Sequence, residues 1–197
     1  MRYEIKTILN DYENSHFINW IKSKTFLKKK YEDRDVNSIY FDTAEYLFAR
    51  QNLSGLPIRS KIRLRWYETN KKDFVLPVIE IKNKDGRIGF KNKMDIIKTE
   101  LLNYKKIKYK DLNNLFYQNF KKENNFKYHS KLYPKIHVQY KREYFESIDQ
   151  IRVTIDSNIK FFDIDQDKYI YTTKKDTFPK KIIEIKFNEK SFDKIAF

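Results

Sequence analysis

Residues 61–66 of the chain, Lys-Ile-Arg-Leu-Arg-Trp, alternate strictly between basic and apolar side chains. Because successive side chains of an extended strand point to opposite faces of a sheet, this stretch places its charges on one face and its apolar residues on the other. The same alternation of charged and apolar residues recurs in residues 2–6, 78–84 and 182–187. The pattern predicts a sheet with one apolar face and one densely charged, mostly basic face, and such a face indicates a polyanionic ligand.

The composition is that of a folded, basic protein. The chain has 197 residues, of which 35% are charged, and a formal net charge of +15. This excess of positive charge implies an anionic partner such as a nucleotide, a phosphate polymer, nucleic acid or a membrane surface. Sixteen Phe and fifteen Tyr provide apolar surface for a core, and three Gly and four Pro are too few for a low-complexity chain. We therefore expect one folded domain of ordinary size.

Several kinds of site are excluded or disfavoured. Cysteine is absent, which excludes disulfides, thiolate zinc sites and cysteine nucleophiles. His16, His129 and His137 are far apart in sequence and show no metal-ligand spacing, so we expect each at the surface or on a helix. The N-terminus opens into a charged strand, and the longest apolar stretch, residues 74–81, contains Pro77 and is too short to span a bilayer. We expect a soluble, cytoplasmic protein without a transmembrane segment.

Helix and turn signals give the expected order of elements. A strand over residues 2–9 precedes a helix over 11–24, for which Asn10 or Asp11 is the expected N-cap. The later predicted elements are a charged loop at 28–35, a strand at 36–42, a helical turn at 43–49, a strand from residue 61, a hairpin of strands 74–84 and 87–95, a helical region at 97–123 with a break near 105–110, and strands at 135–146, 150–157, 159–164 or 168–172, and 180–187.

About eight strands with many hairpins predict an α+β fold with an antiparallel sheet. Eight antiparallel strands are enough to close a barrel, whose charged face would point inward while its apolar face packs outward against the helices. An open sheet with an apolar face covered by helices and a solvated basic face fits the pattern equally well.

An ordered set of short motifs brings a known family into view. The motifs are Arg2-x-Glu4-x-Lys6, Ser38-Ile-Tyr-Phe-Asp-Thr43, Gly55, Arg59, Lys61-x-Arg63-x-Arg65 with Tyr67, Glu80-Ile-Lys82, Tyr140-x-Arg142, Arg152-Val-Thr-Ile-Asp156 and Glu184-Ile-Lys186. Together they resemble the VTC domain, the polyphosphate polymerase module of the triphosphate tunnel metalloenzyme (CYTH-like) superfamily. The resemblance covers nearly the whole chain.

The resemblance implies an eight-stranded antiparallel β-barrel, the triphosphate tunnel, with helices packed on its outside, as one domain over residues 1–197. In the family, the basic lining binds ATP, triphosphate or polyphosphate, a glutamate and the phosphates hold Mn²⁺ or Mg²⁺, and the terminal phosphoryl group passes to phosphate or polyphosphate. Nucleic acid is disfavoured as a partner because aromatic residues such as Trp66 and Phe187 occupy the apolar phase of their strands.

The resemblance also implies roles for individual residues. The expected catalytic residues are Lys6, Arg63, Arg65 and Lys82, the expected further phosphate-binding residues are Lys61, Lys91, Lys93, Arg142, Arg152 and Lys186, and the expected metal ligands are Glu184, Glu4 and Glu80. The glutamates have an alternative role as counter-charges for neighbouring Lys and Arg. Asp42 and Asp156 are expected to cap turns or orient arginines, and Tyr40 and Tyr140 to pack or hydrogen-bond.

Two departures from the family pattern leave three hypotheses open. Triphosphatase relatives begin with Glu-x-Glu-x-Lys, whereas Arg2 stands at the first position here, which favours the polymerase-like branch. No Ser-Lys-aromatic motif follows Lys186, so we expect the family's C-terminal helix to be missing, which leaves turnover open. The leading hypothesis is a metal-dependent polyphosphate polymerase-like phosphotransferase. The alternatives are a triphosphatase that hydrolyses inorganic triphosphate or nucleoside triphosphates, and a non-catalytic module that binds polyphosphate or nucleic acid.

Overall fold

A computed structural model of the chain describes residues 2–68, 74–86, 88–96, 102–103, 106–120 and 131–194. These residues form an α+β fold, as predicted, with antiparallel strand pairing and three helices. The elements are β1 (Arg2–Leu9), α1 (Asp11–Thr25), β2 (Lys28–Asp42), α2 (Leu47–Leu53), β3 (Arg59–Glu68), β4 (Phe74–Val75), β5 (Val78–Asp85), β6 (Ile88–Asp95), β7 (Leu102–Asn103), α3 (Tyr109–Phe120), β8 (Tyr133–Glu146), β9 (Arg152–Phe162), β10 (Lys175–Phe178) and β11 (Lys181–Asn188).

The main sheet has the strand order β1-β11-β9-β8-β2-β3-β5-β6, and β10 pairs with β9. The short strands β4 and β7 form a separate antiparallel pair. Within the described part of the chain, β1 and β6 end the order and do not pair with each other, so closure into a barrel stays a prediction. The chain divides into unit 1 (residues 1–35, 139–160 and 177–197) and unit 2 (residues 36–138 and 161–176).

Unit 1 buries the apolar face of β9 and β11 against α1, and Tyr3 and Leu9 of β1 are partly buried against the same core. The helix begins as predicted, because Asn10 and Glu13 form a capping box with hydrogen bonds of 2.8 and 2.9 Å. Ile21 of the helix is fully buried with Ile183 and other apolar residues of β9 and β11. Most of the charged residues of these strands alternate with the apolar ones and so lie on the opposite face of the sheet. The predicted separation of a charged face from an apolar face is therefore present in this unit.

Unit 2 has its own core beneath the apolar face of β2, β3, β5 and β6. Trp66 is 1% exposed and lies in this core together with Ile62, Leu64 and other apolar residues of neighbouring strands. Helix α3 covers the face, and the ring of Phe116 stacks on Phe41 with 3.6 Å between centroids. The helix packs here because Leu112 and Phe116 recur at a spacing of four residues on one helix face.

Residues 28–35 are the first half of the long strand β2, and the predicted charged loop is wrong. Their charges pair with those of the neighbouring strand β8: Lys30 with Glu146 at 2.8 Å and Asp33 with Lys141 at 3.3 Å. The rings of Tyr31 and Tyr144 also meet edge to face at 5.8 Å. Strand pairing across 100 residues of sequence therefore overrides the local loop signal.

Helical boundaries also differ from those predicted. The helical region expected at 97–123 contains only α3 among its described residues, and residues 102–103 are strand; residues 97–101, 104–105 and 121–123 lie outside the described residues. The carboxylate of Asp111 accepts a hydrogen bond from the backbone N–H of Lys108 at 3.1 Å, which satisfies a free donor beside the helix start. The helical turn predicted at 43–49 corresponds to α2, which begins at Leu47. Of the two alternative strands predicted at 159–164 or 168–172, both within the described residues, only the first is present, as the end of β9.

Asp42 determines where α2 begins. Its carboxylate accepts hydrogen bonds from the backbone N–H groups of Thr43, Phe48 and Ala49 at 2.7, 2.9 and 2.8 Å. The residue therefore caps a turn, one of the two roles expected for it.

His137 is fully buried on β8, and its predicted position at the surface or on a helix is wrong. The imidazole Nδ1 lies 3.1 Å from the hydroxyl of Tyr109, and Nε2 lies 3.0 Å from Oδ1 of Asn37. The side chain of Asn37 donates to Glu68, which also accepts from Trp66 at 3.0 Å. This buried polar network explains why a histidine is tolerated in the core of unit 2. His16 is exposed on α1, as expected, and His129 lies outside the described residues.

None of the described helices has the length and apolar character needed to cross a membrane.

Candidate functional site

All thirteen candidate residues lie on strands, and each unit contains its own group. Unit 1 holds Glu4 and Lys6 on β1, Arg142 on β8, Arg152 on β9, and Glu184 and Lys186 on β11. Unit 2 holds Lys61, Arg63 and Arg65 on β3, Glu80 and Lys82 on β5, and Lys91 and Lys93 on β6.

The cations of unit 2 occupy one face of three neighbouring strands. Strand register places Lys61 opposite Lys82 and Arg63 opposite Glu80, and on the other side of β5 it places Lys82 opposite Lys91 and Glu80 opposite Lys93. We call Lys61, Arg63, Arg65, Lys82, Lys91 and Lys93 the basic cluster. Directly opposite side chains on adjacent strands are about 5 Å apart at Cβ, so a single polyanion can reach several of these cations.

Glu80 lies inside the basic cluster and is 3% exposed. Its Oε2 accepts hydrogen bonds from Nε and Nη2 of Arg63 at 2.9 and 2.6 Å and lies 3.4 Å from Nη1 of Arg65. Its Oε1 lies 2.8 Å from Nζ of Lys91. Burial alone would raise the pKa of Glu80, but the hydrogen bond from Lys91 and the charges of the two arginines lower it to about 2.

Two side chains of β2 complete the surroundings of the arginines. The hydroxyl of Tyr40 accepts a hydrogen bond from Nη1 of Arg63 at 3.1 Å, and Oγ of Ser38 accepts one from Nε of Arg65 at 3.2 Å. Burial acts to raise the pKa of Tyr40, yet the neighbouring arginine charges lower it. Tyr40 therefore hydrogen-bonds, as expected, whereas the contact of Ser38 was not foreseen. The alternation of residues 38, 40 and 42 along one strand face is the sequence signal that could have indicated it.

Unit 1 carries a mixed cluster of two acids and two lysines: Glu4, Lys6, Glu184 and Lys186. Nζ of Lys6 lies 3.1 Å from a carboxylate oxygen of Glu4 and 3.1 Å from one of Glu184. Lys186 pairs with Glu184 and lies 3.5 Å from Glu4. Burial and the charge of Glu184 act to raise the pKa of Glu4, but the two lysines lower it, and they also lower the pKa of Glu184 against its burial. Both acids are therefore carboxylates at neutral pH.

Arg142 and Arg152 lie on neighbouring strands of unit 1. Arg142 donates from Nε and Nη2 to the two carboxylate oxygens of Asp156, both at 2.6 Å, and its guanidinium lies 5.1 Å from the ring centre of Tyr140. Asp156 thus orients an arginine, as expected. Arg152 is exposed and lies opposite Lys186 across β9 and β11, on the same face as Glu184.

The acidic residues differ in how well they fit a divalent metal. The described residues include no group of three or more Asp, Glu or His side chains placed to hold one. Glu4 and Glu184 share Lys6 as a partner and supply two hard oxygen donors, and Mg²⁺ or Mn²⁺ commonly binds one or two carboxylates together with water and substrate phosphates. All three glutamates contact cationic side chains through both oxygens, but among the described residues Glu4 and Glu184 contact only lysines, and they are 38% and 15% exposed. Glu80 is 3% exposed and contacts two arginines as well as Lys91, so Glu80 has the surroundings of a counter-charge.

These arrangements suit a phosphate-rich ligand. Arginine forks and lysine ammonium groups neutralise phosphate oxygens, and phosphoryl transfer depends mainly on positioning and neutralising charge.

Comparison with solved structures gives matches at low sequence identity. The PH1819 protein of Pyrococcus horikoshii OT3 has a TM-score of 0.51 at 11% identity, over 99% of this chain and 84% of that chain. A candidate adenylate cyclase from Vibrio parahaemolyticus has a TM-score of 0.49 at 11% identity, over 98% of this chain and 82% of that one. A candidate adenylyl cyclase from Hippeastrum with dominant triphosphatase activity has a TM-score of 0.48 at 14% identity, over 98% and 83% of the two chains. At 11% identity, the likeness to the PH1819 protein shows a similar fold and nothing more.

Comparison with curated proteins gives no match. The family model of the VTC domain, in contrast, matches residues 2–196, which is nearly the whole chain. This match agrees with the ordered motifs on β1, β2, β3, β5, β8, β9 and β11. The chain therefore belongs to the VTC domain family.

Proposed function

We propose that this protein is a phosphotransferase of the polyphosphate polymerase type, which binds ATP, triphosphate or polyphosphate and transfers the terminal phosphoryl group to phosphate or a polyphosphate chain. The observation that carries the proposal is the basic cluster, in which six cations lie on one face of three adjacent strands around a single buried glutamate. Membership of the VTC family supports phosphoryl chemistry as the class of reaction.

In this proposal the basic cluster binds the phosphates. Arg63 and Arg65 offer fixed guanidinium groups, because Glu80, Tyr40 and Ser38 restrain them. Lys82, Lys91, Lys61 and Lys93 are exposed and place ammonium groups on the same face. Neutralising the charge on the transferred group and its neighbours lowers the barrier without a covalent step on the protein.

In unit 1 the proposed roles fall to the mixed cluster and the two arginines. Glu184 and Glu4 would hold Mn²⁺ or Mg²⁺, which supplies charge neutralisation at the phosphate oxygens when bound. Lys6 and Lys186 hold these carboxylates in place and can turn toward phosphate oxygens. Arg142 and Arg152 add phosphate-binding donors on neighbouring strands. Closure of the sheet into the family's eight-stranded tunnel is part of the same proposal.

Incubation of the purified chain with γ-labelled ATP and Mn²⁺ tests the proposal directly. A ladder of labelled polyphosphate on a gel is the expected result. Labelled orthophosphate alone would show that water is the acceptor and that the protein is a hydrolase. Tight binding of tripolyphosphate by calorimetry with neither product would identify a binding module.

The metal role of Glu184 gives a further prediction. We expect Glu184→Gln to reduce the stimulation of turnover by Mn²⁺ at least tenfold, because an amide is a much weaker ligand than a carboxylate, while metal-free tripolyphosphate binding persists. The measurement is turnover against Mn²⁺ concentration, with Asp149→Asn as a control carboxylate whose partner is Lys194 at 2.6 Å. A variant of Glu184 that does not fold would instead indicate that this residue serves as a structural counter-charge.

A further inference from the structure

We propose that Glu80 is a positioning residue that holds Arg63, Arg65 and Lys91 in their phosphate-binding arrangement, and that it acts as their permanent counter-charge and not as a metal ligand. This inference rests on the proposed function, since it explains how the basic cluster is prepared for a polyphosphate ligand.

The contacts of Glu80 leave no oxygen without a cationic neighbour. Oε2 receives two donors from Arg63 and lies near Arg65, both on β3, whereas Oε1 receives Lys91 from β6 on the other side. Strand β5 thus places one carboxylate between cations from both of its neighbours. A metal ion at Glu80 would have to displace charged hydrogen bonds from a fixed arginine at a side chain that is 3% exposed. The two carboxylates of the mixed cluster, in contrast, contact only lysines among the described residues, which are more flexible, and they lie at more exposed positions.

The basic cluster needs such a counter-charge. Its cations lie on adjacent strands at close cross-strand spacing, where like charges destabilise a sheet. The side chain of Arg65 is only 7% exposed, so it cannot move into solvent to reduce the repulsion, whereas the side chain of Lys91 is 46% exposed. A buried cation without a partner is costly, so the carboxylate in the middle keeps the inner arginines ordered.

The geometry also leaves donors of Arg63 available for a ligand. A guanidinium carries five N–H groups. Arg63 uses Nε and Nη2 for Glu80 and Nη1 for Tyr40, so one hydrogen on each terminal nitrogen remains for another acceptor. Glu80 therefore fixes the orientation of the Arg63 guanidinium and leaves two of its N–H groups to bind phosphate.

Although Glu80 orders the cations, it lowers the overall affinity of the basic cluster for a polyanion. Its negative charge lies within 3.4 Å of cations that are to bind a polyanion, so it repels that polyanion while it orders the cations. Removal of the charge should therefore strengthen the attraction for phosphate, whereas removal of a metal ligand should weaken metal-dependent binding. The two roles predict effects of opposite sign.

The test is tripolyphosphate binding to Glu80→Gln, measured by calorimetry in EDTA and in Mn²⁺ at several salt concentrations. We expect about tenfold tighter binding in EDTA at low salt, and a dependence of log affinity on log salt that is steeper by about one, because one more cation is left for the ligand to neutralise. Asp33→Asn is the matched control, since Asp33 also contacts two lysines and its loss changes the net charge by the same amount, but it lies outside the basic cluster. Unchanged affinity and slope in Glu80→Gln, weaker binding in EDTA, or weakening seen only with Mn²⁺ would overturn the inference.

A second measurement separates this inference from the proposed function. In low salt we expect Glu80→Gln to unfold at a lower temperature than the unchanged chain, and added sulfate to raise its Tm more than it raises that of the unchanged chain or of Asp33→Asn. An unchanged chain that fails to bind tripolyphosphate would overturn the proposed function, while the sulfate response would still decide the role of Glu80. An equal sulfate response in all three chains would contradict the counter-charge role.

If Glu80→Gln does not fold, the exposed partner Lys91 provides the test. Lys91→Met should weaken tripolyphosphate binding more than Lys93→Met, the cation two residues along the same strand, because Lys91 is the one held by Glu80 at 2.8 Å. Equal losses in the two variants would show that contact with Glu80 does not position Lys91.

Discussion

Arg63→Ala is expected to weaken tripolyphosphate binding about 100-fold, because the variant loses a guanidinium that can donate two charge-assisted hydrogen bonds to phosphate oxygens. The free energy of unfolding should fall by about 1–3 kcal/mol, because Arg63 donates two hydrogen bonds to the buried Glu80, but the fold should persist since Glu80 keeps Arg65 and Lys91 as partners. Calorimetric titration and denaturant unfolding give the two quantities.

Two comparison variants make this result specific. Arg50→Ala removes an exposed arginine from α2, outside the basic cluster, and should leave the affinity nearly unchanged. Arg65→Ala should reduce both affinity and stability, because Arg65 is buried and bonded to Ser38 and Glu80. If Arg63→Ala binds tripolyphosphate as well as the unchanged chain, Arg63 does not belong to the phosphate site.

The second large effect is a loss of stability in mild acid that arises from His137. Burial lowers the pKa of this histidine from 6.5 to about 3. Because the unfolded chain takes up the proton first, stability is fully present above pH 6.5 and is lost as the pH falls toward the folded-state pKa. Between pH 6.5 and 4.5 we expect the free energy of unfolding to fall by about 2 kcal/mol.

The hydrogen bonds of His137 support this direction. Oδ1 of Asn37 accepts from Nε2, so Nδ1 serves as the acceptor for the hydroxyl of Tyr109 in the neutral ring. A proton on Nδ1 would remove that acceptor inside the core. The window above pH 4.5 is informative because Glu80, whose pKa is lowered to about 2, stays ionised throughout it.

Denaturant unfolding from pH 7 to 4.5 checks the prediction. His137→Gln should be less stable at pH 7, but its stability should change little over this range because no buried imidazole remains to be protonated. His16→Gln, which alters an exposed histidine of α1, should follow the curve of the unchanged chain. Parallel curves for His137→Gln and the unchanged chain would show that another group causes the acid sensitivity.

Local patterns were sufficient to predict much of the fold. The helix start at Asn10, the hairpin around Asp85-Gly86 and the apolar phase of β3 and β11 depend on residues close together in sequence. They are present in the structure because capping, turn conformation and the two-residue period of a strand are all short-range effects. Residues 28–35 were wrongly predicted as a loop because they are highly charged, and the strand they form is stabilised by β8, more than 100 residues away in sequence.

The candidate site was also predicted only in those features that depend on local sequence. Alternation along single strands placed every one of the thirteen candidates on a strand, and the motifs indicated the VTC family, which the family match confirms. Neither could show which acid contacts which cation. Glu80 and Glu184 both occur in a Glu-Ile-Lys motif, yet Glu80 contacts two arginines of β3, whereas Glu184 contacts lysines of β1 and of its own strand.

The sequence alone therefore determined the α+β class, the separation of a basic face from an apolar face, and the family. Each of these follows from the order of residue types along one strand or helix at a time. Only the tertiary structure decided that His137 lies in a core, that 28–35 is a strand, and that Glu80 is surrounded by Arg63, Arg65 and Lys91. These features depend on strand register and burial, which bring together residues that no local pattern connects.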